Sequence, residues 1–143
     1  MLPKTAEYAL RAVVWLGRAP DRPQSAEEMA RAILVPRRYL HKVLQDLGKS
    51  GLIKSQPGPG GGYAIHRPPR EISILDVVRA VGAVQRIEQC PLGLSSHTQL
   101  CPLHRELDRA FAAVEEAFAR VTIAQILDTP SHILPLCDVT DIA

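Results

Sequence analysis

Aromatic residues are scarce in this chain: Phe, Trp and Tyr together make up 4% of its 143 residues. Hydrophobic residues still reach 46%, so a core must be built from Ala, Leu, Val and Ile, which suits helices. No apolar run approaches the roughly 20 residues needed to span a bilayer, so no membrane association is expected. The N-terminal MLPKTAEYAL lacks the basic-then-apolar layout of a secretion signal. Cysteines number three, an odd count without the spacing of a disulfide framework. These absences make the cytoplasm the expected location, where thiols stay reduced and serve as ligands or sensors. The length fits one compact domain, or a small domain with a dimerising extension.

Charge of one sign is missing from neither half, yet it is unevenly placed. Residues 1–70 hold 12 Lys and Arg against 5 Asp and Glu, whereas residues 71–143 hold 5 against 10. The overall net charge of +2 therefore hides a basic front half and an acidic back half. A basic half of that kind is the footprint of a protein that meets a polyanion.

The periodicity of the chain predicts mostly helix. Thr5 to Gly17 places Ala9, Leu10, Val13 and Leu16 on one face. Ser25 opens S-A-E-E, a capping box closed by Glu28, before a short helix to about Ile33. After a turn at Leu34 and Val35, Pro36 takes a first-turn position and a third helix runs to about Ser50. Its buried stripe is Leu40, Val43, Leu44 and Leu47, and Gly51 supplies a left-handed cap. Arg37, Arg38, His41, Lys42 and Lys49 lie on its polar side, giving a helix-turn-helix pattern with a cationic second helix. Leu52–Ser55 and Tyr63–His66 read as paired strands around the side-chain-poor turn QPGPGGG. A helix-turn-helix followed by a glycine-tipped hairpin is a winged helix, whose bare backbone can approach phosphates or a narrow minor groove.

Beyond the hairpin, Ser73 caps a helix to about Val81, with Asp76 closing the box. A long helix from Pro102 to about Val121 carries Leu103, Leu107, Ala110, Phe111, Val114, Ala117, Phe118 and Val121 at 3–4 spacing. That stripe runs roughly 30 Å, too long for a small winged-helix core to cover. The expected cover is the same helix of a second copy, and a two-fold dimer suits a two-fold operator. Thr122 then caps a short helix, TIAQILD, followed by a tail holding Cys137, which reads as incidental. The expected division is residues 1–82 for DNA binding, 83–101 for a Cys/His sensor loop, and 102–143 for the dimerisation helix and tail.

These features, in this order, resemble the IscR/NsrR-type winged-helix transcriptional regulators of bacteria, the Rrf family. The most specific stretches are YLHKVLQDLGKSGLI (Tyr39 to Ile53) and GPGGGY (Gly58 to Tyr63). EYALRAV at Glu7 to Val13, ISILDVVRAV at Ile72 to Val81 and TIAQIL extend the likeness over nearly the whole chain. The resemblance implies a homodimeric regulator, taken as a repressor, that binds double-stranded promoter DNA through its third helix and wing. It implies contacts from Arg37, Arg38, Tyr39, His41 and Lys42 on the helix, and from Lys54, Gln56, Gly58, Gly60 and Gly61 on the wing. Arg can pair with guanine O6 and N7, and His can donate to a base acceptor. Relatives close to IscR carry an arginine before GPGGGY that enters the minor groove. Here Pro57 stands in that place, preceded by Gln56, so the wing is expected to act through its backbone.

Residues 90–104, CPLGLSSHTQLCPLH, concentrate two cysteines and two histidines. The resemblance implies an iron–sulfur cluster near this loop in many members, while other members bind DNA without one. Cluster-binding relatives usually place three cysteines here. Cys90 matches the first and Cys101 the last, with His104 three residues on. Ser95 and Ser96 sit near the place of the middle one, with His97 beside them. The expected ligands are thus Cys90 and Cys101, completed by His104 or His97 and by Glu7 of the partner subunit, holding a cluster, 2Fe-2S by expectation. Three alternatives stay open: a Cys2His2 zinc site, a metal-free thiol switch in which Cys101 sits at a helix N-terminus with Cys90 as its partner, and two cysteines that pack only as small hydrophobes. An enzyme using Cys101 and His104 is not expected, because no oxyanion-hole motif accompanies the pair.

Overall fold

A computed structural model describes residues 2–136, and Cys137 lies outside the described residues. Among these residues the chain forms six α-helices and one two-stranded antiparallel sheet. The first helix, α1 (Lys4–Gly17), is the axis of the fold. Ala6, Ala9, Ala12, Val13 and Leu16 line its fully buried face. Small side chains let the other elements close on it from several sides: α1 packs against α2, α3, α4, α6 and the second strand.

Local signals set most boundaries. In α2 (Ala26–Ile33) the Ser25 hydroxyl accepts from the Glu28 amide at 3.2 Å, and the Glu28 carboxylate accepts from the Ser25 amide at 3.2 Å. The chain then turns through Leu34, whose φ of +55° is left-handed, and Pro36 caps α3 (Arg37–Lys49) rather than entering its first turn. At the far end Leu52 donates to the Leu47 carbonyl and Gly51 to the Gly48 carbonyl, at 3.2 and 3.1 Å. Gly51, at φ +76°, makes this a Schellman ending, as its sequence position predicted.

The strands β1 (Ile53–Gln56) and β2 (Gly62–Ile65) pair from Ile53 with Ile65 to Gln56 with Gly62. Both sit one residue from the expected positions. Leu52 is drawn into the helix ending, which delays β1. On the other side Gln24 exchanges both backbone hydrogen bonds with Tyr63, at 2.9 and 2.7 Å. The wing is therefore tied to the entry of α2 by an isolated bridge that no local pattern announced.

A short 3₁₀ turn at Pro69–Glu71 leads to α4 (Ile74–Ala80), capped by Ser73 and Asp76 as expected. After the loop comes α5 (Pro102–Ala119), then α6 (Ile123–Asp128) with a Thr122–Gln125 capping box. The long helix stops short of Val121 because the Val121 carbonyl accepts from the Ile74 amide at 2.9 Å, and Ile123 donates to Ile72 at 2.8 Å. That exchange pulls the chain back, and Ile123 is fully buried in the main core with Leu16, Leu44 and Ile72. By contrast α5 has no fully buried residue among its described positions. It rests on α4, with Phe118 reaching a second cluster of Ala6, Leu75, Val78 and Ala83.

Candidate DNA-binding surface and cysteine loop

The third helix divides cleanly by face. Leu40, Val43, Leu44 and Leu47 are buried, while Arg37, Arg38, Tyr39, His41 and Lys42 are all exposed. Burial of the four apolar side chains holds the helix against α1 and α2, so its cationic face is presented by a fixed support. Exposed side chains on that face find local partners. Arg37 pairs with Glu27 of α2 at 2.7 Å, and Lys42 with Asp46 one turn on at 3.0 Å. Surface pairs of this kind contribute little net stability, so phosphates can replace the carboxylates at small cost. Arg38 lies over the Tyr39 ring, 4.8 Å from its centroid, and donates to Tyr39 Oη at 3.0 Å.

The wing is a second exposed element, packed on this helix through β1. Lys54 and Gln56 are exposed on β1, as are Pro57, Gly58 and Gly60 at the tip. Gly58 and Gly60 have φ of +94° and +74°, which L side chains rarely adopt. Gly61 is required for space: a Cβ there would collide with the Gln56 carbonyl. The tip thus offers backbone rather than side chains, consistent with the composition of QPGPGGG.

Two residues outside the sequence-derived set join this surface. Tyr8 on α1 packs against Tyr39 with ring centroids 6.3 Å apart. Arg11 lies over Tyr8 at 5.5 Å, pairs with Glu7 at 3.1 Å, and donates to the Ile33 and Leu34 carbonyls at 3.2 and 3.4 Å. Glu7 itself remains half exposed on α1 with Arg11 as its partner. The only signal for these contacts in the sequence is the i, i+3 and i, i+4 spacing of Glu7, Tyr8 and Arg11, which says nothing about α3.

The cysteine loop brings one pair of donors into contact, Cys101 and His104, and sets Cys90 and His97 along one cavity. Cys90 begins a tight turn in which Gly93, at φ +66°, donates to the Cys90 carbonyl at 3.0 Å. The Leu94 amide, with those of Leu92 and Gly93, lowers the Cys90 thiol pKa against an opposing effect of burial. Cys90 and His97 line the same cavity of about 340 Å³, together with Glu88, Leu94 and Thr98. His97 Nδ1 is buried there without a hydrogen-bond partner. The second pair is at the start of α5, where Cys101 is the N-terminal cap and its Sγ lies 3.4 Å from His104 Nδ1. Among the described residues of a single chain, no three His, Cys, Asp or Glu side chains are gathered to hold a metal ion. Two thiols and two imidazoles match the ligand chemistry of an iron–sulfur cluster or zinc, but among the described residues of one chain only Cys101 and His104 are in contact.

The loop is fastened to α5 through its first half. Arg86 makes a bidentate pair with Asp108, both bonds 2.7 Å, and the Ile87 amide donates to Asp108 Oδ1 at 2.9 Å. The Arg86 guanidinium, then the Ile87 amide, hold the Asp108 carboxyl down to about 2. Arg79 of α4 pairs with Glu115 at 3.1 Å on the same side of α5.

A supported cationic helix beside a bare-backbone hairpin defines the class: a winged helix-turn-helix protein. The family described as "Rrf2: Iron-dependent Transcriptional regulator" matches residues 2–129. A curated rrf2-like HTH-type transcriptional regulator of Rhodobacter capsulatus is 32% identical over 126 residues, covering 85% of this chain and 81% of its own. Among solved structures, CymR, the global cysteine regulator of B. subtilis, aligns with a TM-score of 0.71 at 25% identity, covering 88% of this chain and 95% of its own. IscR of T. potens aligns at 0.73 with 23% identity, over 89% and 85%. The chain belongs to the Rrf2 family of transcriptional regulators. Its members are regulators of transcription and not enzymes, and the family implies binding to DNA. No helix among the described residues is long and apolar enough to cross a membrane.

Proposed function

We propose that this chain is a cytoplasmic, homodimeric repressor that reads a two-fold promoter site with α3 and the wing, under the control of the loop between α4 and α5. The observation that carries the DNA-reading part is the division of α3 into a fully buried stripe and an exposed face of Arg37, Arg38, Tyr39, His41 and Lys42. The apolar stripe of α5 supports the dimer. Leu103 and Leu107 remain exposed on a helix that buries nothing fully in its own chain.

For control, Cys90, Cys101 and His104 or His97, with Glu7 of the partner subunit, would hold an iron–sulfur cluster. Such a cluster would supply an iron- and redox-dependent state, in keeping with the family's iron-dependent description. The separation of Cys90 from the Cys101–His104 contact supports a centre completed by movement of the loop or by a second copy. Arg86 and Asp108 tie the loop to α5, so a change in loop conformation bears on the helix that sets the spacing of the two DNA-reading heads. The Cys101–His104 contact at 3.4 Å favours a second reading, a metal-free thiol switch, with structural zinc as a further outcome.

The test begins with anaerobic purification. A brown sample containing iron and sulfide selects the cluster and a colourless zinc-containing one selects zinc; a metal-free one selects the thiol switch only where oxidation of Cys90 and Cys101 changes promoter affinity. Affinity for a duplex selected from a random library is then measured against salt. Neutralisation of about six phosphates lowers affinity roughly a thousand-fold between about 50 and 200 mM salt, and a salt-independent result removes the DNA-reading proposal. Equal promoter affinity for the loaded protein and a Cys90→Ala, Cys101→Ala variant removes the sensor proposal while leaving DNA reading intact.

A further inference from the structure

We propose that Tyr8, on α1 and outside the helix-turn-helix, is a positioning residue that presents Arg38 to DNA. The proposal rests on the reading of Arg38 as a DNA contact. A solvent-exposed arginine samples many rotamers, and fixing it costs up to about 2 kcal/mol. Arg38 is exposed, yet its guanidinium is held twice: over the Tyr39 ring at 4.8 Å and by its hydrogen bond to Tyr39 Oη at 3.0 Å. Tyr39 cannot serve as a fixed platform through its own helix alone, because 44% of it is exposed. Its ring is braced from the α1 side by Tyr8, at 6.3 Å with the ring planes inclined by 41°.

Tyr8 is in turn only half buried, and its ring meets both the Tyr39 ring and the Arg11 guanidinium. Arg11 is anchored on two sides, by Glu7 on its own helix and by the carbonyls of Ile33 at the end of α2 and of Leu34, its cap. Cations over aromatic faces and tilted aromatic pairs are each favourable by about 0.5–1.5 kcal/mol. The result is a four-membered stack, Arg11–Tyr8–Tyr39–Arg38, running from the buried axis of the fold to the first turn of the reading helix. Tyr39 Oη accepts from Arg38 and keeps its own O–H free to donate. The remaining N–H groups of Arg38 form a fork of fixed orientation, the arrangement that bidentate recognition of a guanine edge or a phosphate requires.

Positioning is distinguished from plain structural support by specificity and by non-additivity. The experiment uses the full chain, a duplex selected by that chain from a random library, and a scrambled duplex of equal length. Tyr8→Leu is expected to weaken binding to the selected duplex about ten-fold, leaving binding to the scrambled duplex and its salt slope unchanged. Tyr8→Phe, which keeps the ring, is expected to restore the wild-type value. Arg38→Ala should show a loss of similar size, and the double variant should lose no more than Arg38→Ala alone. Should Tyr8→Leu fail to fold, Arg11→Gln removes the next member of the stack from a part-exposed position, and the same non-additivity with Arg38→Ala is expected. Full additivity, an equal loss on both duplexes, or no loss at all overturns the positioning role. If Arg38→Ala alone leaves specific binding intact, the contact assignment falls and takes the positioning role with it, while salt-dependent binding by the wild type remains.

Discussion

Gly62 shows how much one residue can carry. Its φ of +142° is closed to most L side chains, and a Cβ there would be driven into the Gln24 carbonyl and the Ser25 amide. Only a glycine lets β2 run close enough to exchange hydrogen bonds between Tyr63 and Gln24. Gln24 is the buried polar residue of the core, and its side chain accepts from Trp15 Nε1 at 2.6 Å. The wing base is thus welded to α1 and α2 by one glycine, one glutamine and one tryptophan. Gly62→Ala is expected to destabilise the fold by about 2 kcal/mol or more, since it combines a forbidden φ with a backbone collision. A lower urea midpoint with an unchanged slope would show it. A midpoint within error of the wild type would mean that the wing base relaxes freely.

The loop-to-helix fastening belongs to the element scale. Segment 84–88 gains its place from α5 through Asp108, which takes two bonds from Arg86 and one from the Ile87 amide. Because Asp108 is held down to about 2 from an ordinary value of 3.8, its folded-state pKa lies below its unfolded one. The fastening is therefore complete above about pH 4 and is lost as pH falls through about 2. Hydrogen exchange at the Ile87 amide should report this directly, with protection decaying over that window. In Asp108→Asn the acid-dependent loss should vanish, with Ile87 poorly protected throughout. Protection in that variant equal to the wild type would show that the segment is held by other contacts.

At the scale of the whole molecule, the exposed stripe of α5 is the feature left unsatisfied by one chain. Leu103, Leu107, Ala110, Val114 and Ala117 follow alternating spacings of four and three, the seam of paired helices. On the neighbouring side of α5, Asp108 and Glu115 already face the loop and α4, and Phe118, at the edge of the stripe, is covered by the second cluster of its own chain. On the proposed dimer, Leu107→Asp is expected to yield a monomer by sedimentation and to lower affinity for a two-fold operator at least about 100-fold, since each head then binds alone. Retention of a dimer by this variant would move the interface elsewhere. The charge split fits the same arrangement, with the basic half at the DNA and the acidic half away from it.

Sequence by itself determined the elements and their order. The capping boxes at Ser25 and Ser73, the Schellman glycine at Gly51 and the apolar stripes of α1 and α3 are each decided within about one or two turns of chain. The same locality made the cationic face of α3 and the bare wing tip legible, because a buried stripe on one side of a helix defines the other side. Tertiary structure alone decided what met across longer separations: Tyr8 with Tyr39, Gln24 with Tyr63, and Arg86 with Asp108. Those pairings arise when segments many residues apart close on α1 or α5. No local propensity records them, because their geometry is set by the packing of the whole core rather than by the residues beside them.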